Sequence, residues 1–359
     1  MEHVSARAAL DLVFAAAGKG ACSSLPGDAL YNYAHPVLNC AMAADFPQLT
    51  LKQIYARFAD PAAPLTPQRL RSLQSDSREG VQKLYRVLAR RVAAQEKERA
   101  RLDQMLDLER RLWDEGIVHV AGVDEVGIGP LAGPVVAAAV VFPPWAKLAG
   151  IDDSKRLNDA VRRRLDLQIR AIAAVGLGVV GVEEVDRLNV YHAGLRAMQR
   201  AVGDLPIPPQ HVLVDARTIP EIAQPQEAYI KGDTLSLSIA AASIVAKVHR
   251  DRLMTELDAR YPGYGFALHK GYPTPAHQLA LRKLGPCAIH RRSFDFIGEL
   301  CGEYGRFFYE QKVRAAKIAT RAELSLWESG LEETAGRLSG SERRKLHLLK
   351  TRLRKRLGA

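Results

Sequence analysis

Two short apolar runs in the middle of the chain constrain its fold more than any other feature. IVHVAGVDEV, at 117–126, and PVVAAAVVF, at 134–142, are rich in β-branched and small residues and are bounded by Gly and Pro. Segments of this length and composition are typical of buried β-strands. The sequence therefore predicts a sheet that begins near residue 117.

Helical and strand patterns alternate after these two runs. A third strand is predicted within 175–185, and the apolar residues of 191–205 recur at helical spacing. HVLVDA forms a short buried strand that ends on Asp215, and EAYIKGD follows it and ends on Asp233. A long helix is expected over 238–261. This succession predicts an α/β fold, with a mixed sheet and helices on both of its faces.

Helical patterns also precede the sheet. In LKQIYARF, at 51–58, apolar residues recur at helical spacing, and the proline-containing segment 60–67 ends this helix. A longer helix is predicted from about Val81 to Trp113, with its apolar residues on one face and many charged residues around them. This segment is either a solvated amphipathic helix that packs on a neighbouring element or a helical module that binds a nucleic-acid backbone.

The end of the chain is helical in pattern and strongly basic. Residues 311–359 contain 13 Lys or Arg against 5 Glu, a net charge of +8 out of +11 for the whole chain. Positive charge of this density is either a solvated helix face or a contact to nucleic acid, because Lys and Arg displace counterions from phosphates. The sequence leaves both alternatives open.

Composition places the chain among soluble globular proteins. It is 47% hydrophobic and 25% charged, and it contains no apolar span of about twenty residues, the length that crosses a membrane. Glu2, Asp11 and Lys19 interrupt the N-terminal apolar stretch, which argues against a signal peptide and for a cytoplasmic protein. The four cysteines lack the spacing of a zinc site or a disulfide framework.

Four acidic residues fall at strand ends or just before a helix. Asp124 and Glu125 lie at the end of one strand, Asp215 at the end of another, and Asp233 in a loop before the long helix. If the two strands are neighbours, the carboxylates converge, and they repel one another unless protons or cations separate them. We expect no basic residue to abut Asp124 and Glu125, so a divalent ion is the expected neutraliser.

An all-oxygen ligand set favours magnesium or manganese over zinc. Two such ions about 4 Å apart can activate a water and stabilise the leaving oxygen of a phosphodiester. A structural role is the alternative, since an Asp-Glu pair is often a strand-end feature and Asp215 can cap a turn. Metal-dependent phosphodiester hydrolysis is the chemistry that best suits a chain with basic flanks.

The glycines after the first strand suggest a rival function. Gly127, Gly129 and Gly133 follow a strand, as glycines do in a dinucleotide-binding turn. Their spacing is GxGxxxG rather than GxGxxG, and Pro130 stands where a helix N-terminus with free N–H groups is needed. These differences disfavour a nucleotide-dependent oxidoreductase.

Eight motifs, in order, resemble those of bacterial type 2 ribonuclease H, ribonuclease HII. They cover roughly 117–297 and are AGVDEVGIGPLAGPVVAAAV, IDDSKRL, EVDRLNVYHAGLRAM, VLVDA, KGDTLSLSIAAASIVAKVHRD, YPGYGF, HKGYPT and HRRSF. The segment from about 70 to 116 resembles the N-terminal extension of some members, which is thought to aid substrate binding. The resemblance implies a ribonuclease H-like fold, with a mixed five-stranded sheet flanked by helices and with helical N- and C-terminal extensions.

The resemblance also implies how the chain is divided. We expect an unassigned N-terminal segment at 1–48, a helical extension at 49–116 that could bind substrate, a ribonuclease H-like catalytic domain at 117–308 and a basic helical tail at 309–359.

The activity implied by the resemblance is that of an endonuclease. Members of the family hydrolyse the RNA strand of RNA-DNA hybrids and incise 5′ of a ribonucleotide embedded in duplex DNA, leaving 3′-hydroxyl and 5′-phosphate ends. Asp124, Glu125 and Asp215 match the family's metal-binding acids and Asp233 its fourth active-site carboxylate, with Mn²⁺ or Mg²⁺ as the cofactor. The expected partners are RNA-DNA hybrid and ribonucleotide-containing duplex DNA, with no membrane, no organic cofactor and a monomeric state.

Further motif residues match substrate contacts. Tyr272 in HKGYPT matches the tyrosine that packs on the sugar of the deoxynucleotide after the ribonucleotide. Lys155 and Lys270 are expected to contact phosphates, by their charge and their place in motif loops. Asp152 and Asp153 lie outside the matched set and are interpreted as turn residues.

One position departs from the family pattern. The family normally has Arg between the two glycines, where this chain has Ile128. The resemblance implies that the backbone at Gly127 and Gly129 approaches a 2′-hydroxyl closely, whereas isoleucine supplies neither charge nor hydrogen bonds. One hypothesis is a relaxed dependence on the ribonucleotide-to-deoxyribonucleotide junction, as in type 3 enzymes. The other is a weakened enzyme, down to a homologue that only binds nucleic acid.

Overall fold

The structure is a computed structural model that describes residues 49–58, 65–302 and 304–358. The expected N-terminal segment at 1–48 lies outside the described residues, as do two of the four cysteines, Cys22 and Cys40. The other two, Cys287 and Cys301, are free thiols.

The described residues form five β-strands and fourteen α-helices. The strands are β1 (Val120–Val126), β2 (Val135–Val141), β3 (Ala174–Val180), β4 (His211–Asp215) and β5 (Gln226–Tyr229). The helices before and within the sheet are α1 (Leu51–Arg57), α2 (Pro67–Gln74), α3 (Glu79–Met105), α4 (Asp107–Asp114), α5 (Asp159–Ile172), α6 (Val182–Leu188) and α7 (Val190–Gly203). Those after it are α8 (Leu237–Arg260), α9 (Phe266–His269), α10 (Pro275–Leu284), α11 (Asp295–Leu300), α12 (Arg306–Lys317), α13 (Arg321–Glu333) and α14 (Gly340–Leu357).

The strands form one mixed sheet in the order β3-β2-β1-β4-β5. β1 pairs antiparallel with β2 and parallel with β4, and β4 pairs parallel with β5. β2 is buried along its whole length, as its apolar sequence predicts. The α/β fold with a mixed five-stranded sheet and helical N- and C-terminal regions is confirmed. None of the described helices has the length and apolarity that a membrane crossing needs.

The chain divides into two compact units. The first contains the chain up to Val126, together with Val136–Val179 and Gly194–Arg250. The second contains Gly127–Val135, Val180–Ala193 and the chain from Asp251. The four acids predicted to converge therefore belong to the first unit, and the glycine loop belongs to the second.

Two glycines set the distance between the sheet and its helices in the first unit. A Cβ at Gly122 in β1 would lie 2.1 Å from the backbone carbonyl carbon of Ser238 in α8. A Cβ at Gly178 in β3 would lie 1.9 Å from the Ala197 carbonyl oxygen in α7. Any larger residue would push the helix off the strand, so glycine is required at both positions.

The N-terminal helices correct one expectation. The single helix predicted from Val81 to Trp113 is two helices, α3 and α4, which meet at Leu106 with φ −96° and ψ 0°. Gly and Pro are both missing from this stretch of sequence, so no local break signal is present. Leu106 is fully buried, and we infer that packing of its side chain fixes the break.

The basic end of the chain folds as three helices, α12, α13 and α14, which we call the C-terminal bundle (residues 304–358). α13 and α14 begin with capping boxes at Thr320 and Ser339, whose hydroxyls accept backbone N–H groups of Glu323 and Glu342. The bundle surrounds an apolar core of its own: Phe308, Ala315, Ile318, Leu324, Trp327, Leu338, Leu346 and Leu353.

Candidate active site

Neighbouring parallel strands position three of the predicted acids. Val123 in β1 is paired with Val214 in β4, so Asp124 and Asp215 are the next residues on the two strands. Parallel strands point their carboxyl ends to the same edge of a sheet, and ligands usually bind at that edge. Glu125 follows directly in β1. The structure thus brings these three side chains together.

Asp124 is almost fully buried, with 7% of its surface exposed. Its Oδ1 accepts the Glu125 backbone N–H at 2.7 Å, and its carboxylate also accepts a hydrogen bond from Ser243 in α8. Burial raises the pKa of Asp124 well above its usual range, and the charges on Glu125 and Asp215 raise it further. A proton or a cation beside this carboxylate would relieve both effects.

Glu125 has a basic neighbour that is distant from it in sequence. The Arg217 Nη1 atom lies 3.7 Å from Glu125 Oε1. Burial raises the pKa of Glu125, the Arg217 charge opposes that rise, and the Asp215 charge adds to it. The expectation that no basic residue stands beside the pair is therefore wrong. The turn after β4, in which Ala216 has a φ of +57°, carries Arg217 to the end of β1.

Asp233 lies in a short 3₁₀ turn, Gly232–Thr234, that precedes α8. The Gly232 N–H donates to Asp215 Oδ1 at 2.7 Å and so ties this turn to the end of β4. Burial raises the pKa of Asp233, and the charges on Asp153 and Asp215 raise it further. The fourth predicted acid is therefore close enough to Asp215 for their charges to repel.

Lys155 and the two aspartates before it lie in or next to the expected turn. The Lys155 N–H donates to Asp153 Oδ1 at 2.8 Å, and the Asp153 N–H donates to Asp152 Oδ1 at 2.8 Å. Asp153 begins the turn, as interpreted from the sequence, whereas Asp152 directly precedes it. The positive charge of Lys155 counteracts part of the rise in the pKa of Glu125 and of Asp233. Lys155 thus lies near the carboxylates.

We call Asp124, Glu125, Asp215 and Asp233 the acidic group. It offers only oxygen donors, which suit hard divalent cations, and Glu125 Oε2 is buried without a hydrogen-bond partner in the described part of the chain. Within residues 49–58, 65–302 and 304–358, no three His, Cys, Asp or Glu side chains already stand as a metal site. A cation would remove the repulsion among these carboxylates and satisfy the Glu125 oxygen, so the residues present fit Mg²⁺ or Mn²⁺.

In the second unit, a buried arginine holds the loop Gly127–Gly133. Gly127 has a φ of +97°, a conformation that strains any residue with a side chain. Arg291 is fully buried, and its Nε and Nη2 atoms donate to the Gly133 carbonyl at 3.0 and 2.8 Å. Its Nη1 atom donates to the Ile128 carbonyl at 3.2 Å. The loop is therefore fixed through its backbone, whichever side chain stands at 128.

Tyr272 lies beside this loop. A Cβ on Gly129 would be 3.9 Å from Tyr272 Cε1. The Tyr272 carbonyl accepts a hydrogen bond from His277 Nδ1 at 2.9 Å, and His277 Nε2 is 3.1 Å from His290 Nε2. Burial lowers the pKa of both histidines to about 4, so both rings are neutral at pH 7. This buried pair fixes the backbone that carries Tyr272.

Lys270 is partly engaged within the second unit. It has a left-handed backbone conformation, with φ +53°, and its Nζ donates to Thr255 Oγ1 at 2.8 Å. The phosphate contact expected for Lys270 stays a prediction.

Comparison with known proteins decides the family. Residues 121–297 match the family described as Ribonuclease HII, and residues 50–113 match the family described as Ribonuclease HII N-terminal domain. A protein named Ribonuclease HII from Myxococcus xanthus is 52% identical over 261 residues, which cover 71% of this chain and 88% of that protein. This chain belongs to the ribonuclease HII family. The family assigned from the motifs is therefore confirmed, and the chain is a ribonuclease H, a hydrolase.

One further relative covers the same share of this chain, and one solved structure covers a smaller share. A protein named Ribonuclease HII from Geobacillus thermodenitrificans is 50% identical over 259 residues, which cover 71% of this chain and 98% of that protein. The crystal structure of the ribonuclease H2 from Pyrococcus horikoshii OT3 aligns with a TM-score of 0.44 and 27% identity, covering 51% of this chain and 97% of that one. The match to the Ribonuclease HII family ends at residue 297, before the C-terminal bundle.

Glu109 links the ribonuclease HII N-terminal region to the site, and its sequence context contains no signal for this. It lies in α4 and is 1% exposed, and its Oε1 accepts the Ser236 hydroxyl at 2.6 Å, the Ser238 N–H at 2.9 Å and the Ser238 hydroxyl. Ser236 Oγ in turn accepts the Ile239 N–H at 3.2 Å. Glu109 thus fixes the start of α8, the helix that follows Asp233. A Glu in a charge-dense helix predicts only a solvated side chain.

We expect Glu109→Ala to lower the free energy of unfolding by about 2 kcal/mol or more, because the Ser238 N–H loses its acceptor inside the protein. Glu109→Gln keeps an acceptor oxygen and should lose less than half as much. Denaturant titration of the two variants and the unchanged chain measures this. Equal midpoints for Glu109→Ala and the unchanged chain would contradict the role of the carboxylate.

Proposed function

We propose that this ribonuclease HII hydrolyses the RNA strand of RNA-DNA hybrids and incises on the 5′ side of a ribonucleotide embedded in duplex DNA. The products would carry 3′-hydroxyl and 5′-phosphate ends. The observation that carries the proposal is the acidic group, a set of buried and half-buried carboxylates near the carboxyl ends of β1 and β4 whose charges repel one another, in a chain of this family. An enzyme of this kind would act in the cytoplasm, where it would excise ribonucleotides during DNA replication and repair.

The acidic group would hold two Mn²⁺ or Mg²⁺ ions, which supply activation of a water and stabilisation of the leaving oxygen in an in-line displacement. The chain itself orients the carboxylates. Ser243 and a backbone N–H hold Asp124, and the Gly232 N–H holds Asp215. Arg217 offsets part of the negative charge of Glu125. Bound metal ions would therefore need to neutralise only the rest of the negative charge of the acidic group.

The residues proposed to contact the substrate are Gly127, Ile128, Gly129, Lys155, Lys270 and Tyr272. Gly129 supports a close approach from outside the protein. It is exposed, and the nearest atom to a Cβ there would be Tyr272 Cε1 at 3.9 Å. Packing within the chain therefore does not demand glycine at this position, whereas contact of the backbone with a 2′-hydroxyl would. Tyr272 would then place its ring on the sugar of the next deoxynucleotide.

The direct test is incubation of duplex DNA containing one ribonucleotide with Mg²⁺, Mn²⁺ or a chelator. We expect a single nick 5′ of the ribonucleotide with either metal and an intact duplex with the chelator. Nicking that persists in chelator would contradict the role given to the acidic group. An intact duplex with both metals would leave a homologue that only binds nucleic acid.

Ile128 supports a variant of this function. The Arg291 bond keeps the Ile128 carbonyl in place, so the loop backbone is held even though the usual arginine side chain is missing. The loop backbone of such an enzyme would still approach the 2′-hydroxyl. The enzyme would lack the positive charge that the usual arginine side chain brings to the junction. Relaxed junction dependence, as in type 3 enzymes, and a weaker contact to the same substrate remain the two hypotheses.

We expect Ile128→Arg to raise kcat/KM on a single embedded ribonucleotide by about tenfold to a hundredfold if a charged contact worth about 1.5–3 kcal/mol is restored. Under relaxed junction dependence, it should instead raise the ratio of cleavage at the embedded ribonucleotide to cleavage of an all-RNA hybrid. Leu279→Arg, on the exposed face of α10, adds the same charge elsewhere in the second unit and serves as the control. An unchanged rate and preference for Ile128→Arg would contradict both hypotheses.

A further inference from the structure

The C-terminal bundle has an apolar interior of its own and lies beyond the residues that match the ribonuclease HII family. Eight apolar side chains form its core, and two capping boxes define its helix starts. A folded module that the family's chemistry does not require raises the question of what its surface binds.

The last helix, α14, is strongly unbalanced in charge. It contains eight cationic residues: Arg343, Arg344, Lys345, Lys350, Arg352, Arg354, Lys355 and Arg356. Its one acidic residue, Glu342, is buried and accepts the backbone N–H groups of Ser339 and Gly305, each at 2.6 Å. The helix therefore presents no negative side chain to solvent among its described residues.

Half of these cations have structural partners. Lys345 Nζ donates to the Ser293 carbonyl at 3.1 Å and lies 3.6 Å from Asp295, in the chain segment before the bundle. Lys350 and Arg354 pair with Glu328 in α13, at 3.8 and 2.8 Å. Arg356 Nη2 donates to the Ile318 backbone carbonyl. Contacts within the second unit account for these four residues.

Three of the remaining cations share one face of α14. Arg344, Arg352 and Lys355 are exposed, and the contacts described for this part of the chain include no hydrogen bond or ion pair of theirs. At 100° per residue, they lie with Leu348 and Thr351 in an arc of about 100° that is opposite the core side of the helix. We call these five residues the α14 basic face. It extends about 16 Å along the helix axis.

Local helix physics does not explain this face. A cation in the last turn, such as Lys355, is favoured by the helix dipole, but Arg344 lies near the N-terminus, where a cation is disfavoured. A face that serves solubility alone usually alternates in sign, and i,i+4 Glu–Lys pairs would also support the helix. An exposed face that carries only positive charge instead suits binding to a polyanion.

We propose that the α14 basic face binds the phosphate backbone of the double-stranded nucleic acid that this chain cleaves. The inference rests on the proposed function for the identity of the duplex. Its three cations suit a regular array of phosphates, because each one can displace a condensed counterion without reading the base sequence. Thr351 adds a hydroxyl donor of the kind that also contacts phosphate oxygens.

The test is binding of a labelled duplex to the full chain in chelator, followed by fluorescence anisotropy over a range of salt concentrations. We expect the triple variant Arg344→Gln, Arg352→Gln, Lys355→Gln to bind at least about tenfold more weakly at 0.1 M salt, with a log–log salt slope reduced by about 2 to 3. The single variant Arg352→Gln should reduce the slope by about 1. At saturating duplex with metal, kcat should be unchanged.

The control triple is Arg306→Gln, Arg314→Gln, Lys317→Gln, which removes the same charge from exposed positions of α12 in the same bundle. It should change the slope by less than about 1. Equal slopes for the α14 triple and the unchanged chain, or equal losses in both triples, would overturn the inference. A failure of the proposed function would appear differently, as an unchanged chain that binds the duplex but does not cut it.

Discussion

Asp124→Asn is expected to remove cleavage of a ribonucleotide-containing duplex, with a loss of at least about a hundredfold in kcat/KM in Mg²⁺ or Mn²⁺. Asn keeps the shape of Asp and can still accept the Glu125 N–H, but it lacks the negative charge that a divalent cation needs. The measurement is single-turnover cleavage, so that product release does not hide the effect.

The same substitution should not weaken the fold. Burial and the charges of Glu125 and Asp215 oppose a negative charge on Asp124 in the absence of metal. A neutral amide removes that repulsion. We therefore expect the thermal midpoint of Asp124→Asn in chelator to equal or exceed that of the unchanged chain, with a gain of up to about 1 kcal/mol in the free energy of unfolding. Opposite effects on activity and stability are the signature of a residue placed for function rather than packing.

Asp166→Asn is the matched control for this substitution. Asp166 is also buried in the first unit, at 8% exposure, but its Oδ1 accepts Arg170 Nε at 3.0 Å within α5. Its loss should lower stability modestly and leave cleavage within about twofold. If Asp124→Asn kept normal cleavage, or if both variants lost it equally, the assignment of the acidic group would be wrong.

Strand-end acids were accessible to sequence reasoning because β-strands have a simple pattern. The apolar runs that end on Asp124 and Asp215 predicted both strands, and parallel pairing then placed the two acids at one edge. Asp233 was placed by its position just before the long helix, and its membership of the group came from the family resemblance. For these residues, local pattern and chain order carry enough information.

Arg217 and Glu109 were not predictable in this way. Arg217 approaches Glu125 only because the turn after β4 places Ala216 in a left-handed conformation, which its sequence does not require. Glu109 acts on Ser236 across 127 residues of sequence, and a charged helix residue carries no mark of burial. Contacts of this kind depend on how elements pack, and no pattern within one element reveals them.

Arg291→Met is expected to have the largest effect on the glycine loop. The guanidinium is fully buried and donates to the carbonyls of Gly133 and Ile128, and methionine fills similar space without any donor. Leaving two carbonyls unsatisfied should cost about 3 kcal/mol or more of stability. Because the loop is held through these carbonyls, its backbone should lose order when Arg291 no longer donates to them.

Thermal unfolding and hydrogen exchange separate the two parts of this prediction. The unfolding midpoint should fall by several degrees, and amides of 127–135 should exchange faster than the rest of the second unit. Arg292→Met makes the same chemical change at the adjacent, exposed residue and should alter stability by less than about 0.5 kcal/mol. Unchanged exchange at 127–135 in Arg291→Met would mean that the loop is held by its glycines and Pro130 alone. In that case the Ile128 backbone would keep its place without the buried arginine, and its position would not depend on residue 291.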